Sequence, residues 1–457
     1  MADQKAEVLI CGAGIAGIAA AYHLSLRGVR EVVLLETGDP LSLTSDKSTE
    51  AYRNWWPGDP AMIGLMNRSI DLLEGIAGAS RNRINLNRRG YLYATADPHN
   101  IATLEEAAAS AAEMGAGEVR RHTAGSSRYQ PSPVTGFDIG LEGADLLTDP
   151  ALIRRHFPHL SPATVAAVHV RRAGWLGAQQ LGMWMLEQAR AAGVRLVRGQ
   201  LTGLQTKAGR FASAHVRRPD GSSLEVHSPV FVNAAGPMLQ AVGEMLGLEL
   251  PVFAERHLKM SFGEHLGVVP RESPMLIWMD PQRLPWSEDE RQMLAEDEAT
   301  RWLLEPFPSG VHCRPDGHGD STTLIALFNY HVEPVPPTFP LPQDPHYAEI
   351  TLRGLSTMLP GLQPYLLKTP KPWIDGGYYL KTRENRPLIG PLPVPGAYVI
   401  GAMSGFGIMA SSAAGELLAA HVLGGDLPAY APAFRLERYQ DPEYVKQLET
   451  WGDGAQL

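Results

Sequence analysis

The 457-residue chain contains only two cysteines, and this scarcity excludes several protein classes. Cys11 lies in a short apolar run, and Cys313 lies far away in a loop-like stretch. Two such distant thiols make neither a disulfide framework nor a cysteine-based metal cluster, so we expect no metal site. The near absence of cysteine is typical of a reducing compartment, and we expect a cytoplasmic location.

The chain also lacks an excess of positive charge and a long apolar segment. Lysine and arginine number 40 against 49 aspartates and glutamates, a net charge of −9, so we expect no nucleic-acid partner. Residues 8–21 are apolar, but no basic region precedes them and they are too short to span a bilayer. We therefore expect no membrane partner, and the length predicts a globular protein of two domains.

A glycine-rich turn close to the start is the first motif that the chain does contain. A strand-like run, residues 7–11, leads to a predicted helix over residues 18–26 through the segment Gly12-Ala13-Gly14-Ile15-Ala16-Gly17. Gly12 permits a tight turn, Gly14 lets the backbone approach a pyrophosphate, and Gly17 lets the helix pack against the sheet. The spacing predicts a dinucleotide-binding βαβ unit.

An acidic residue supports this prediction. A second strand, residues 32–35, ends at Glu36, which lies 24 residues after Gly12. A carboxylate at that place can accept hydrogen bonds from both ribose hydroxyls of an adenosine, and it disfavours a 2′-phosphorylated cofactor. The alternative is an ordinary α/β turn followed by a chance glutamate.

Four later segments repeat the pattern of polar or glycine-rich turns beside predicted strands and helices. They are residues 44–53, residues 174–197, Asn233-Ala234-Ala235-Gly236, and residues 383–407, which end in Ser404-Gly405-Phe406-Gly407 before a final predicted helix. In this order they resemble the D-amino-acid oxidase and glycine/sarcosine oxidase family of FAD-dependent amine oxidoreductases. The resemblance covers nearly the whole chain.

The resemblance implies an α/β and α+β fold. A Rossmann-type FAD-binding domain is interleaved with a substrate domain built on a mixed antiparallel sheet. The expected boundaries are 1–88, 145–250 and 366–440 for the FAD-binding domain, 89–144 and 251–365 for the substrate-binding domain, and 441–457 for a C-terminal tail. Within the substrate domain, a capping box at Ser287 and Glu290 predicts a charged helix to about Leu304, either a solvated surface helix or a lid.

By the same resemblance, FAD contacts residues from several parts of the chain. They are Gly12, Ala13, Gly14, Ile15, Ala16, Gly17, Glu36, Thr44, Ser45, Lys47, Ser48, Val197, Leu201, Ala234, Ala235, Gly236, Gly405, Phe406, Gly407 and Ile408. Relatives often carry histidine at the place of Phe406. Where some relatives attach FAD to a cysteine this chain has Gly377, and residues 44–53 contain no histidine, so we expect non-covalent FAD.

Three basic residues are the candidate catalytic groups. Arg53 falls where the sarcosine-oxidase branch has an arginine that grips the substrate carboxylate, although Glu50 stands where that branch has a basic residue. Lys259 matches a lysine that promotes oxygen reduction, and Lys381 is a candidate for binding an anionic substrate. Each can instead be a surface or structural charge.

The implied reaction is oxidation of an amine or an N-substituted amino acid. Hydride passes to flavin N5, the imine hydrolyses in water, and dioxygen reoxidises the flavin to give hydrogen peroxide. Two alternatives stay open: a dehydrogenase that passes electrons to a partner or quinone, and a non-catalytic subunit that holds FAD within a complex. The substrate, its stereochemistry and the oligomeric state are left open.

Overall fold

Three β-sheets and a pair of short strands organise the protein, of which this computed structural model describes residues 2–123, 127–137, 140–317 and 319–451. In chain order, the strands are β1 (Ala2–Lys5), β2 (Val8–Cys11), β3 (Val32–Glu36), β4 (Ala51–Arg53), β5 (Tyr91–Thr95), β6 (Val119–His122), β7 (Ala144–Leu147), β8 (Ala166–Val170), β9 (Ala173–Trp175), β10 (Arg195–Arg198), β11 (Gln200–Lys207), β12 (Arg210–Arg217), β13 (Ser223–His227), β14 (Val230–Asn233), β15 (Phe253–Gly263), β16 (Met275–Trp278), β17 (His312–Pro315), β18 (Thr323–Leu327), β19 (Trp373–Lys381), β20 (Leu388–Pro391) and β21 (Ala397–Gly401). The α-helices are α1 (Ile15–Leu26), α2 (Pro60–Ala79), α3 (Asn100–Ala111), α4 (Pro150–His156), α5 (Ala178–Ala191), α6 (Leu239–Glu244), α7 (Glu288–Glu296), α8 (Tyr347–Met358), α9 (Pro364–Leu367), α10 (Gly407–Leu423) and α11 (Pro442–Thr450).

The six-stranded sheet has the order β10-β3-β2-β14-β21-β20, and its strands run parallel except for β20. Alternate residues of β2 point to opposite faces, as the two-residue repeat of a strand requires. Val8 and Ile10 pack with α1 and α10, whereas Leu9 and Cys11 pack with the four-stranded sheet β1-β13-β12-β11. Both faces are covered, so the carboxyl edge of the parallel strands is the place where a ligand can reach the sheet.

The nine-stranded sheet has the order β19-β15-β18-β17-β16-β5-β8-β7-β6, with parallel and antiparallel pairs. Leu258 and Leu276 belong to a core cluster on one face, which is completed by α8. On the opposite face, Ile277 packs into the cluster that contains α1. One face of the nine-stranded sheet therefore packs against α8, and the other face points toward the carboxyl edge of the six-stranded sheet.

The predicted fold class, a Rossmann-type sheet with a second mixed sheet, is confirmed. Two local expectations are wrong. Cys313 lies in β17, not in a loop, and the capped helix after Ser287 ends at Glu296 instead of Leu304. Consecutive acidic residues at 296–298 oppose the negative end of the helix dipole, which favours the earlier end.

The expected C-terminal tail contains α11, and residues 452–457 lie outside the described ranges. Among the described residues, no helix has both the length and the apolar composition needed to cross a bilayer.

Candidate active site

A first cavity lies at the carboxyl edge of the six-stranded sheet, between the N-terminal ends of α1 and α10. Its wall is mostly backbone and small side chains from the glycine-rich turns. The lining residues are Gly14, Ile15, Ala16, Thr44, Ser45, Ser48, Ala234, Gly236, Pro237, Tyr378, Tyr379, Leu380, Ile400, Gly401, Ala402, Met403, Ser404, Gly405, Gly407 and Ile408. Because a helix N-terminus presents free N–H groups and a positive dipole end, this cavity favours a ligand with negatively charged groups.

The turn between β2 and α1 depends on two glycines. Gly12 has φ of +107°, and a Cβ added there would overlap the carbonyl group of Ala234 at the end of β14. A Cβ at Gly17 would overlap the carbonyl oxygen of Gly12. The first turn of α1 therefore approaches the strand ends only because these side chains are absent.

Glu36 ends β3 beside this turn. Its Oε2 accepts the N–H of Ala13 at 2.8 Å, and its Oε1 accepts the N–H of Gly38 at 2.9 Å. These bonds fix the carboxylate, and each oxygen keeps a further acceptor site. Such a fixed carboxylate fits the two ribose hydroxyls of an adenosine.

The loop that contains Ser45 closes the cavity from the other side. Its Oγ accepts the N–H of Ile15 at 3.0 Å, and Thr44 Oγ1 donates to the carbonyl of Tyr378 at 3.0 Å. Lys47 does not line this cavity. Its Nζ instead forms ion pairs with Asp46 at 2.8 Å and with Asp375 at 3.2 Å. The loop thus joins the first helix to β19 across the cavity.

The residues present fit FAD. The cavity runs from the start of α1 to the start of α10, and no acidic, cysteine or histidine side chain is among its described lining residues. Gly236 has open space beside it, where an added Cβ would meet no atom within 4 Å. The pyrophosphate would be held by the Gly12–Gly17 turn and the flavin by the residues before α10.

A second cavity adjoins the first and shares four of its residues, Ser48, Tyr379, Ser404 and Gly405. Its other lining residues are Thr49, Ala51, Arg53, Tyr91, Met275, Ile277, His312, Leu327, Asn329, Phe406 and Met409. Apolar side chains from β16, β18 and α10 make one part of the wall, the rest includes polar groups, and none of these described residues is acidic. A substrate in this cavity would therefore lie next to a ligand bound in the first cavity.

Arg53 is the charged group of the second cavity. It lies in β4, is 4% exposed, and its Nε and Nη2 have no hydrogen-bond partner among the described residues. Its guanidinium carbon lies 4.7 Å from the ring centroid of Trp56 and 5.7 Å from that of Tyr91. The two rings hold the guanidinium plane, and the unpaired Nε–Nη2 edge is the edge that binds a carboxylate with two parallel hydrogen bonds.

His312 lies in β17 and lines the same cavity. Its Nδ1 is 2.8 Å from the carbonyl oxygen of Gly310. Burial and, to a smaller extent, the nearby Arg53 charge lower its pKa to about 4. The hydrogen bond to Gly310 acts in the opposite direction. The imidazole is therefore neutral at pH 7.

Arg314, two residues along β17, holds the loop that follows Ser48, a residue that lines both cavities. Its side chain is fully buried, its Nε donates to the carbonyl of Thr49 at 2.8 Å, and its Nη2 lies 3.2 Å from Glu50. Glu50 also accepts the N–H of Ala178 at the start of α5, at 2.9 Å. The acidic residue that departs from the sarcosine-oxidase pattern thus pairs with Arg314. Burial raises the pKa of Glu50, and the Arg314 charge opposes that rise.

Other predicted residues lie farther from the cavities or contact them indirectly. Lys259 donates from Nζ to the carbonyl of Ser48 at 3.1 Å, so it lies directly behind the shared wall. Lys381 lines neither cavity, and its Nζ is 3.1 Å from Glu255. Its role in substrate binding stays a prediction.

Among the predicted cofactor residues, Phe406 lines the second cavity instead of the first and packs edge-on against Trp56, with ring centroids 5.1 Å apart. Val197 lies in β10 beside Leu35 of β3, and Leu201 is buried in β11. Their contacts with the cofactor, like that of Ala235, stay predictions.

Several residues of the second cavity were not predicted from the sequence, among them His312, Asn329 and Met275. Each comes from a strand or strand end of the nine-stranded sheet, and β16 pairs with β5 although the two are far apart in the chain. The short stretch around His312 has no periodicity that marks it as a strand. Once β17 is recognised as a strand, the two-residue repeat places His312 and Arg314 on one face.

Comparison with known proteins agrees with this arrangement. The family described as "FAD dependent oxidoreductase" matches residues 7–421. The chain is 25% identical to monomeric sarcosine oxidase from Streptomyces avermitilis, over 60% of this chain and 64% of that protein. It is 22% identical to mitochondrial dimethylglycine dehydrogenase from Rattus norvegicus, over 93% of this chain and 44% of that protein. The chain thus spans less than two thirds of the length of these curated relatives.

Solved structures show the same fold at low identity. L-proline dehydrogenase from P. horikoshii superposes with a TM-score of 0.72 and 17% identity, over 96% of this chain and 98% of that chain. Glycine oxidase from Geobacillus kaustophilus gives 0.70 and 17%, over 95% and 98%. Because the family match covers nearly the whole chain and the cavity fits the cofactor, the protein belongs to the FAD-dependent oxidoreductases and uses FAD.

Proposed function

We propose that the protein oxidises an amino acid with a single carboxylate and a primary or secondary amine. The observation that carries this proposal is the Nε–Nη2 edge of Arg53, buried and unpaired among the described residues beside the cofactor cavity. Burying cationic N–H donors without acceptors is unfavourable, so a ligand that accepts hydrogen bonds from this edge would stabilise it. The planar fork of the guanidinium selects a carboxylate.

The rest of the second cavity orients the substrate and excludes water. Met275, Ile277, Leu327 and Met409 give an apolar wall around the substrate carbon atoms. No acidic group among the described lining residues stabilises an ammonium ion, so the cavity favours the amine in its neutral form. When bound, FAD supplies the acceptor for the hydride from the carbon that bears the amine.

We further propose that dioxygen is the electron acceptor and that FAD is bound non-covalently. The Lys259 ammonium, 3.1 Å from the Ser48 carbonyl, lies behind the wall that both cavities share and favours negative charge forming there. The described lining of the first cavity offers no cysteine or histidine for attachment. Acid precipitation should therefore release FAD into the supernatant, and a yellow pellet would contradict the proposal.

For the domains, we propose the boundaries expected from the sequence. All strands of the six-stranded sheet fall in segments 1–88, 145–250 and 366–440. The nine-stranded sheet also contains β8, β19 and, except for its first residue, β7 from these same segments, so that sheet spans both units.

Anaerobic reduction of the bound FAD tests the proposed function. N-methylglycine, proline and small D- and L-amino acids are compared with the corresponding amines that lack a carboxylate. We expect bleaching by at least one amino acid and at least a hundredfold weaker reduction by its decarboxylated partner. Equal reduction by both would contradict the role of Arg53, and no reduction by any amine would favour a non-catalytic subunit. Admission of air then separates an oxidase, which forms peroxide at once, from a dehydrogenase.

A further inference from the structure

One row of side chains crosses the nine-stranded sheet at the second cavity. His312 of β17 is paired with Ile277 of β16 on one side and with Leu327 of β18 on the other. All three residues line the cavity. His312 is thus a polar group between two apolar neighbours, fixed by strand pairing on both sides.

The position of the ring proton follows from the chemistry of its partner. A carbonyl oxygen only accepts hydrogen bonds, so the contact between His312 Nδ1 and the Gly310 oxygen at 2.8 Å places the proton on Nδ1. In the neutral imidazole, Nε2 then carries a lone pair. Nε2 has no hydrogen-bond partner among the described residues, so its lone pair can accept a hydrogen bond from a ligand. The charged side chain in the same cavity is the Arg53 cation.

We propose that His312 is a specificity residue that accepts a hydrogen bond from the substrate amine and thereby selects amines that keep an N–H in their neutral form. The inference rests on the proposed function of this cavity. Primary and secondary amines donate such an N–H and keep their own lone pair for the oxidation. A neutral tertiary amine has no N–H, and it would leave Nε2 facing a methyl group without a hydrogen-bond donor.

The same geometry argues against His312 as a strong base. With a pKa of about 4, the imidazole keeps its Nδ1 proton but gains no second proton on Nε2 above about pH 5, so it orients the amine without taking its proton. Burial is the main reason that the His312 pKa is low, and the Arg53 charge adds to it because a second cation in the same cavity would be repelled.

The test compares N-methylglycine with N,N-dimethylglycine, which differ in the N–H. The measured quantity is the ratio of their reduction rate constants divided by Kd, taken at the alkaline limit where both amines are neutral. His312→Leu keeps a similar volume without an acceptor, and His312→Gln supplies an amide oxygen instead. His312→Asn keeps a donor for Gly310 but has no distal acceptor, so it covers the case in which the leucine variant fails to fold.

We expect the wild-type ratio to favour N-methylglycine, and to fall about tenfold in the leucine and asparagine variants but not in the glutamine variant. A ratio that the leucine variant leaves unchanged would show a purely steric preference and overturn the inference. A fall in Asn329→Leu, with none in the His312 variants, would assign the role to Asn329 and overturn it as well.

A second readout is independent of catalysis. Nitrogen NMR of the His312 ring should show a protonated Nδ1 and an unprotonated Nε2 at pH 7, and the opposite tautomer would contradict the inference. Failure of the proposed function is distinguishable, because the wild-type FAD would then not be reduced by either amine.

Discussion

Replacement of Arg53 should separate two effects that usually change together, activity and stability. In Arg53→Met, a substrate carboxylate loses two charge-assisted hydrogen bonds, each worth about 1.5–3 kcal/mol. The total of about 3–6 kcal/mol corresponds to a loss of about 150- to 25,000-fold in the reduction rate constant divided by Kd. The methyl ester of the same amino acid lacks the charge, so the variant should reduce its rate less than about tenfold.

In Arg53→Met, the free energy of unfolding should rise although the activity falls. Arg53→Met removes a buried charge whose Nε and Nη2 have no partner among the described residues, and we expect this gain to exceed the loss of the hydrogen bond between Arg53 and the Tyr91 hydroxyl. We expect the stability to rise by about 1 kcal/mol in a urea titration. Arg171→Met is the matched control, because this arginine is also buried but is paired with Asp145, and its loss should destabilise the protein.

Either of two results would refute the role of Arg53 in binding the substrate carboxylate. One is an equal loss for the acid and the ester, which would mean that the guanidinium does not contact the carboxylate. The other is a destabilised Arg53→Met apoprotein, which would give the residue a structural role.

Three further predictions concern the surroundings of the site. Gly405→Ala should weaken FAD binding by more than tenfold in a fluorescence titration, because φ is +78° and the new Cβ would overlap the Tyr379 ring. Arg314→Leu should lower the free energy of unfolding by about 3 kcal/mol, since it leaves Glu50 without its buried counter-charge. Burial alone would raise the pKa of Asp145, but hydrogen bonds from its cationic neighbours hold that pKa below its usual range. Asp145→Asn should therefore destabilise the protein at pH 7, and the difference from wild type should shrink as the pH falls below about 4.

Each of these predictions has a control or an opposing outcome. Gly209→Ala also replaces a glycine at positive φ, +75°, but its Cβ would meet nothing within 4 Å, so FAD affinity should stay unchanged. Adding Glu50→Gln to Arg314→Leu should recover part of the lost stability, and no recovery would contradict the pairing. For Asp145, the unfolded chain binds its proton at higher pH than the folded protein, so a difference that grows at low pH would refute the sign of the shift.

The cofactor half of the site was predictable because its signals are local. Gly12, Gly17 and Glu36 lie within one βαβ unit, and strand-turn-helix geometry dictates where they meet. The Gly405 turn is a second local signal of the same kind. Each can be interpreted from a few consecutive residues.

The substrate half was mostly hidden because it forms by pairing between distant strands. His312 has neighbours from β16 and β18, and its environment exists only once these strands are in register. The turn that contains Phe406 was predicted from local sequence, but the cavity that Phe406 lines was not. It lines the second cavity and not the first. Arg53 was proposed by resemblance, and its unpaired edge became visible only with the packing of Trp56 and Tyr91.

The most direct test of the central claim is a crystal structure of the FAD-loaded protein with a carboxylate inhibitor that lacks an oxidisable amine. We predict that the two carboxylate oxygens lie about 2.7–2.9 Å from Nε and Nη2 of Arg53, beside the wall shared with FAD. A carboxylate bound at Lys381, or anywhere outside the second cavity, would contradict the proposed role of Arg53.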